Sequence, residues 1–220
     1  MTRPDVVTRE DWLKARTDLL TQEKALTRAT DEVTLARRAL PMVRITKEYA
    51  FEGPHGKQTL RDLFDDSEQL LVYHAMFDPK WDEACPGCSA GMDETSAPAM
   101  TANLKAKNTE YVRISRAPYD KIAKMAKQRG WTFKWVSSYG SDFNDDFGVT
   151  VDPTRGEPRY NYAPSPHTEP TELPGFSSFL REGDDVFHTY SAYARGTEPH
   201  GGIDHLLDLT VLGRQDGSRL

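Results

Sequence analysis

An apolar run with almost no interruption, Leu70-Leu71-Val72-Tyr73-His74-Ala75-Met76-Phe77, constrains this chain more than any other feature. Alternation of apolar and polar residues would mark a strand with one wet face. Near-continuous apolarity marks a strand buried on both faces, as in a parallel or mixed sheet covered by helices. A short loop containing Trp81 follows, then Cys85-Pro86-Gly87-Cys88 and a helix-like stretch rich in Ala and Met. The order strand, loop, Cys-x-x-Cys, helix is therefore the frame on which the rest is read.

These are the only two cysteines in 220 residues. A thiol at the first position of a helix meets the free N–H groups and the positive end of the helix dipole. Both stabilise its thiolate, and a second cysteine one turn on can close a disulfide. A structural zinc site would need two further ligands. Of the six histidines only His200 and His205 have a suitable spacing, and they lie far along the chain. Metal is therefore not expected, nor any cofactor. Acidic residues outnumber basic ones 34 to 28, for a net charge of -6, which opposes binding to phosphate backbones. The first residues lack the apolar core of a signal peptide, and no run approaches the ~20 apolar residues of a membrane span. The expectation is a cytoplasmic protein without nucleic-acid or membrane partners, a compartment in which such a dithiol points to redox chemistry.

In chain order, residues 8 to 40 read as helix, with Thr8 as N-cap and Pro41 as terminator, though Thr30-Asp31-Glu32 could cap a second helix. Trp12, Leu19, Leu26, Val33 and Leu40 recur with a period of seven, separated by small residues such as Ala15, Ala29 and Ala36. A helix of that length reaches roughly 50 Å, more than a small domain can cover. A homodimer through this helix is expected, with an arm over 1–41 and a second domain over 42–220. Residues 43 to 51 read as strand, Gly53-Pro54-His55-Gly56 as turn, and Thr59 as cap of a short helix. Beyond the cysteines a helix is expected over 89 to 107, interrupted at Pro98, then strand 111 to 115, helix 119 to 129 ending at Gly130, and strand 133 to 138. The segment 139 to 149 begins like a calcium loop, but Phe147 stands where the sharp-turn Gly would be and Pro153 where the bidentate Glu would be. It reads instead as a turn into a short helix anchored by Phe143 and Phe147. Six prolines make 152 to 174 an excursion without regular structure, after which a hairpin around Glu182-Gly183 and a helix over 203–209 close the chain.

The stretches LPMVRITKEYAFEG, VYHAMFDPKWDEACPGCS, ISRAP, GWTFKWVSSYGSDFNDDFGV, LPGFSSFLREGDDVFHTYSAYARG and LLDLTVLGR resemble the DUF899 family of bacterial thioredoxin-like proteins. That resemblance implies an α/β, thioredoxin-like three-layer sandwich with an N-terminal long helix extension. It also matches Pro174 to the thioredoxin proline that precedes the hairpin in the cis form. Where thioredoxins have Trp-Cys-Gly-Pro-Cys, this chain has Ala84-Cys85-Pro86-Gly87-Cys88, with Pro and Gly exchanged and the tryptophan displaced to Trp81.

The expected chemistry is thiol–disulfide exchange on a protein or small-molecule disulfide: Cys85 attacks and Cys88 resolves the mixed disulfide. Pro174 is expected to be cis beside the dithiol, leaving the N–H and carbonyl of the preceding residue open to an extended substrate. His74 is the expected proton carrier. Trp81, Pro86, Gly87 and Leu173 are the expected substrate contacts. Two other readings compete. A thiol peroxidase of the peroxiredoxin type would carry Pro-x-x-x-Thr-x-x-Cys, but Asp78 and Asp82 hold those positions, with Pro79 one place out of register. A non-catalytic binding module would retain its phenotype after Cys85→Ser.

Overall fold

The apolar run becomes a strand near the middle of an eight-stranded sheet in the computed structural model, which describes residues 4–200, 207, 209 and 210. The chain divides into two compact units, Met42–Ile203 and Met1–Pro41 with Asp204–Leu220. Of the expected closing helix over 203–209, only residues 207, which is helical, and 209, which is in a turn, are among the described residues.

In the second unit, α1 (Arg9–Arg38) is one unbroken helix. Thr8 Oγ1 accepts the Asp11 N–H at 3.1 Å, while Glu10 and Asp11 in the first turn and Arg37 and Arg38 in the last complement the dipole. Thr30 does not restart a helix: its hydroxyl turns back to the Leu26 carbonyl at 2.9 Å. None of the helix is buried, and the heptad stripe from Trp12 to Leu40 is exposed along its length.

In the first unit the strand expected over 43 to 51 splits in two. β1 (Val43–Arg44) and β2 (Ala50–Gly53) end on opposite halves of the sheet, and β3 (Gly56–Thr59) forms a hairpin with β2. Between them, Lys47 bonds Asp142 at 2.8 Å and Asp146 at 2.6 Å as the chain crosses over. A 3-10 turn at Asp62–Phe64 replaces the short helix; the Asp62 carboxylate accepts the Thr59 N–H at 2.7 Å. β4 (Gln69–His74) is the central strand. After it come α2 (Pro86–Glu94), α3 (Pro98–Lys105), β5 (Thr109–Ser115), α4 (Tyr119–Arg129) and β6 (Trp135–Ser137). Pro98 does restart a helix, and Gly130 ends α4 at φ 70°, a left-handed conformation that costs glycine nothing.

α5 (Phe143–Asp146) is the short helix expected there. The excursion that follows is more ordered than its prolines suggest. β7 (Thr150–Val151) pairs with β10 (Thr171–Glu172), and between them β8 (Arg159–Tyr160) and β9 (Ala163–Pro164) make a hairpin. Asn161 and Tyr162, both at positive φ, form its two-residue turn. β11 (Gly175–Glu182) and β12 (Asp185–Tyr193) complete the sheet.

The sheet order is β1-β12-β11-β4-β5-β6-β2-β3, with β4, β5 and β6 parallel and the β11–β12 hairpin antiparallel against β4. A β-α-β unit carrying the cysteine helix, followed by an antiparallel hairpin on the other side of the central strand, is the thioredoxin arrangement. One face packs α2 and α4 through Ala84, Cys88, Met92, Ile122, Met125 and Trp135. The other is covered by the 3-10 turn and α5 through Leu63, Phe64, Phe143 and Phe147 against Leu70, Val72, Ile114 and Phe179. No helix of the described residues is long and apolar enough to cross a membrane.

Candidate active site

Cys85 is the N-cap of α2 and Pro86 its first residue. Proline suits that position because its N–H would lack a helical partner and its fixed φ matches the helix. The backbone is pinned on both sides: the Cys85 N–H donates to the Met76 carbonyl at 2.9 Å, and the Cys85 carbonyl accepts the Ser89 N–H at 2.9 Å and hydroxyl at 3.0 Å. So placed, the Cys85 sulfur receives the thiol of Cys88 and the backbone N–H groups of Cys88 and Gly87. Together these outweigh partial burial and bring its pKa down to about 5. A side chain on Gly87 would begin 3.9 Å from that sulfur.

Cys88, one turn inside α2, is 4% exposed. Its thiol is held protonated by its bond to Cys85 and by burial, against hydrogen bonds from the Tyr73 hydroxyl and the Met76 N–H, the latter at 3.4 Å. Both cysteines are free thiols. The pair thus combines a half-buried, easily ionised sulfur with a buried, protonated one.

His74 is not part of it. Neighbouring residues on a strand point to opposite faces, and the helices that carry the dithiol lie on the face of Tyr73. His74 is 1% exposed on the other face, stacked on Phe143 and Phe147, with Nε2 2.8 Å from Ser177 Oγ. Burial lowers its pKa to about 3, so it is a neutral core histidine. Tyr73 takes the place given to it, packed on Phe176 at 4.9 Å between ring centroids.

The Leu173–Pro174 bond is trans, which corrects a second expectation. Leu173 continues the extended β7–β10 pairing, its N–H donating to the Val149 carbonyl at 2.7 Å. In extended chain the trans X-Pro bond is the lower in energy by about 0.5–1 kcal/mol. Pro174 still stands beside the end of the central strand, since Gly175 pairs with His74. Its carbonyl is bonded by the Tyr160 hydroxyl at 2.6 Å.

Trp81 lies half-exposed on the loop before Cys85, and that loop is tied down from two sides. Lys121 of α4 donates to the carbonyls of Pro79 at 2.9 Å and Trp81 at 2.7 Å. Arg116 bonds Asp78 at 2.9 Å and the buried carboxylate of Glu172 at 2.7 Å. At the far end of α2, Arg113 donates to the Thr95 carbonyl at 2.9 Å, its guanidinium lying over the rings of Tyr111 and Phe133 at 3.8 and 4.1 Å.

Tyr73, Tyr160 and Arg113 had no place in the sequence reading. Strand alternation was the available signal for Tyr73, but choosing its face requires knowing on which side the cysteine helix packs.

The family model described as a bacterial protein of unknown function, DUF899, matches residues 1–219. The chain belongs to this family. No curated protein matches it. Among solved structures, this DUF899 protein is similar to a mutant of PrxQ from Xylella fastidiosa, at 13% identity over 73% of this chain and 90% of that one, TM-score 0.48. It is also similar to the peroxidoxin BcpB of Mycobacterium tuberculosis, at 16% identity over 74% and 92%, TM-score 0.45. A mutant of Xanthomonas campestris peroxiredoxin Q matches at 15% identity over 71% and 87%, TM-score 0.45.

Proposed function

We propose that this DUF899 protein is a thiol–disulfide oxidoreductase. The observation that carries the reading is the asymmetry of the pair: Cys85 caps the N-terminus of α2 and is half-buried while Cys88 is buried one turn inside, which lowers the pKa of the first and raises that of the second. The Cys85 thiolate attacks one sulfur of a substrate disulfide. The S–S bond breaks, and the departing sulfur leaves with the electron pair as a thiolate. The mixed disulfide removes the negative charge beside Cys88, which then gives up its proton to the departed thiolate and attacks Cys85. The second substrate thiolate leaves, and a Cys85–Cys88 disulfide remains. The substrate gains two electrons and the protein loses two, so turnover requires an external thiol or dithiol reductant.

A peroxidatic cycle fits less well. The two positions from which Pro and Thr would act are Asp78 and Asp82, and Asp78 is engaged by Arg116.

Trapping and titration test this reading. Cys88→Ser should accumulate a mixed disulfide at Cys85, and Cys85→Ser should abolish turnover. Alkylation of the reduced protein should label Cys85 first, at a rate that falls as pH drops through about 5, because the thiolate is the reactive form. Preferential labelling of Cys88, or a Cys85 titration near the ordinary ~8.5, would overturn the assignment.

A further inference from the structure

We infer that the site acts on low-molecular-weight disulfides and rejects extended polypeptide segments. The inference rests on the thiol-exchange reading and concerns what can reach Cys85.

An extended peptide binds beside a strand by exchanging main-chain hydrogen bonds with it. The segment available for this is 171–174, which leads into β11 next to the end of the central strand. Its groups are already engaged. Thr171 and Glu172 pair with Val151 and Thr150, and the Leu173 N–H donates to Val149. Pro174 has no N–H, and its carbonyl accepts the Tyr160 hydroxyl at 2.6 Å. Gly175 is paired on both sides, with His74 and with Tyr193.

Tyr160 belongs to the β8–β9 hairpin, which is fastened at two points. The Tyr160 oxygen also accepts the Ala194 N–H at 2.8 Å, and the Tyr162 hydroxyl donates to the Ser191 carbonyl at 3.0 Å. The two tyrosine rings flank Tyr193, at 5.6 and 5.5 Å between centroids. The carbonyl that Tyr160 holds lies two residues before Phe176, which pairs with Tyr73, the strand residue packed in the cluster that contains both cysteines. A peptide bound as a strand would have to displace Tyr160 and break the Leu173–Val149 bond. A disulfide of a few atoms needs only the half-exposed Cys85 sulfur.

The test compares initial rates of reduction of 2-hydroxyethyl disulfide and of insulin by the reduced protein under the same thiol reductant. The expected result is a kcat/KM for the small disulfide at least tenfold above that for insulin, with the gap narrowed in Tyr160→Phe, which lacks the hydroxyl that holds Pro174. Equal or faster insulin reduction by the wild-type chain would overturn the inference, as would an unchanged ratio in a folded Tyr160→Phe. Amide exchange gives a check that needs no variant: the Leu173 N–H should be protected, and free exchange there would remove the premise. If neither disulfide is reduced, the thiol-exchange reading itself fails and the inference falls with it.

Discussion

Tyr73 packs against the face that carries the buried sulfur of Cys88 and favours its ionised form, from the strand position adjacent to a histidine that faces the opposite way. Tyr73 is therefore the side chain placed to steady Cys88 as it ionises. A hydrogen bond to a charged group contributes about 1.5–3 kcal/mol, or roughly 10- to 100-fold in rate. Tyr73→Phe should lengthen the lifetime of the mixed disulfide by that factor while leaving the first attack by Cys85 unchanged. Stopped-flow kinetics separate the two phases, and a variant slowed only in the first phase would contradict the role.

His74 is expected to act on acid stability and not on the exchange reaction. Its folded pKa, about 3, lies below the ordinary 6.5, so below that value the unfolded chain binds the extra proton. Its contribution is complete above about pH 6.5 and is lost as pH falls towards 3, at up to about 1.4 kcal/mol per pH unit. The groups facing it are Ser177 and, through Ser191, His188, whose pKa is also lowered by burial. His74→Gln should flatten the pH dependence of urea unfolding in this range and leave the pH profile of disulfide reduction in place. A shifted reduction profile would return His74 to the site.

Arg113 is fully buried between two rings, with its planar fork on the carbonyl that ends the dithiol helix. An ammonium is more strongly hydrated and cannot stack in this way. Arg113→Lys should thus lower stability by about 2–4 kcal/mol, and by more than Arg113→Met, which buries no charge. Thermal melts of the two variants decide it. Lysine matching wild type would mean that charge alone matters.

The α1 stripe is expected to be covered by a second copy of the chain. Trp12, Leu19, Leu26 and Val33 are each about half-exposed or more, and each contributes roughly 1.5–3 kcal/mol when fully buried. Ala15, Ala29 and Ala36 allow close approach of a partner helix. Light scattering should give twice 24.9 kDa at micromolar concentration, and Leu19→Glu with Leu26→Glu should return the monomer. A dimer unaffected by those charges would place the interface elsewhere.

What the sequence determined by itself was everything governed by local pattern. Thr8 and Pro41 bracket α1, Pro98 restarts a helix, Gly130 ends one, and the apolarity of 70–77 makes β4 a strand of the sheet interior, buried on the face of Leu70, Val72 and His74 and partly buried on the face of Leu71 and Tyr73. The place of Cys85 at the start of a helix was legible too, because Pro86 at the first helical position and a second cysteine one turn on are sequence-local facts. The tertiary structure decided what depends on which surfaces meet. Residue 43 pairs at one end of the sheet and residue 52 near the other, a split that no window of sequence contains. Strand alternation says that Tyr73 and His74 face opposite ways, but only the packing of α2 and α4 says which of them meets the cysteines. Likewise, the prolines of 152–174 exclude a helix without revealing that Val149 and Tyr160 would return to occupy Leu173 and Pro174. Those bonds join residues 14 and 24 positions apart, and their geometry exists only once the sheet has brought the ends of the excursion together.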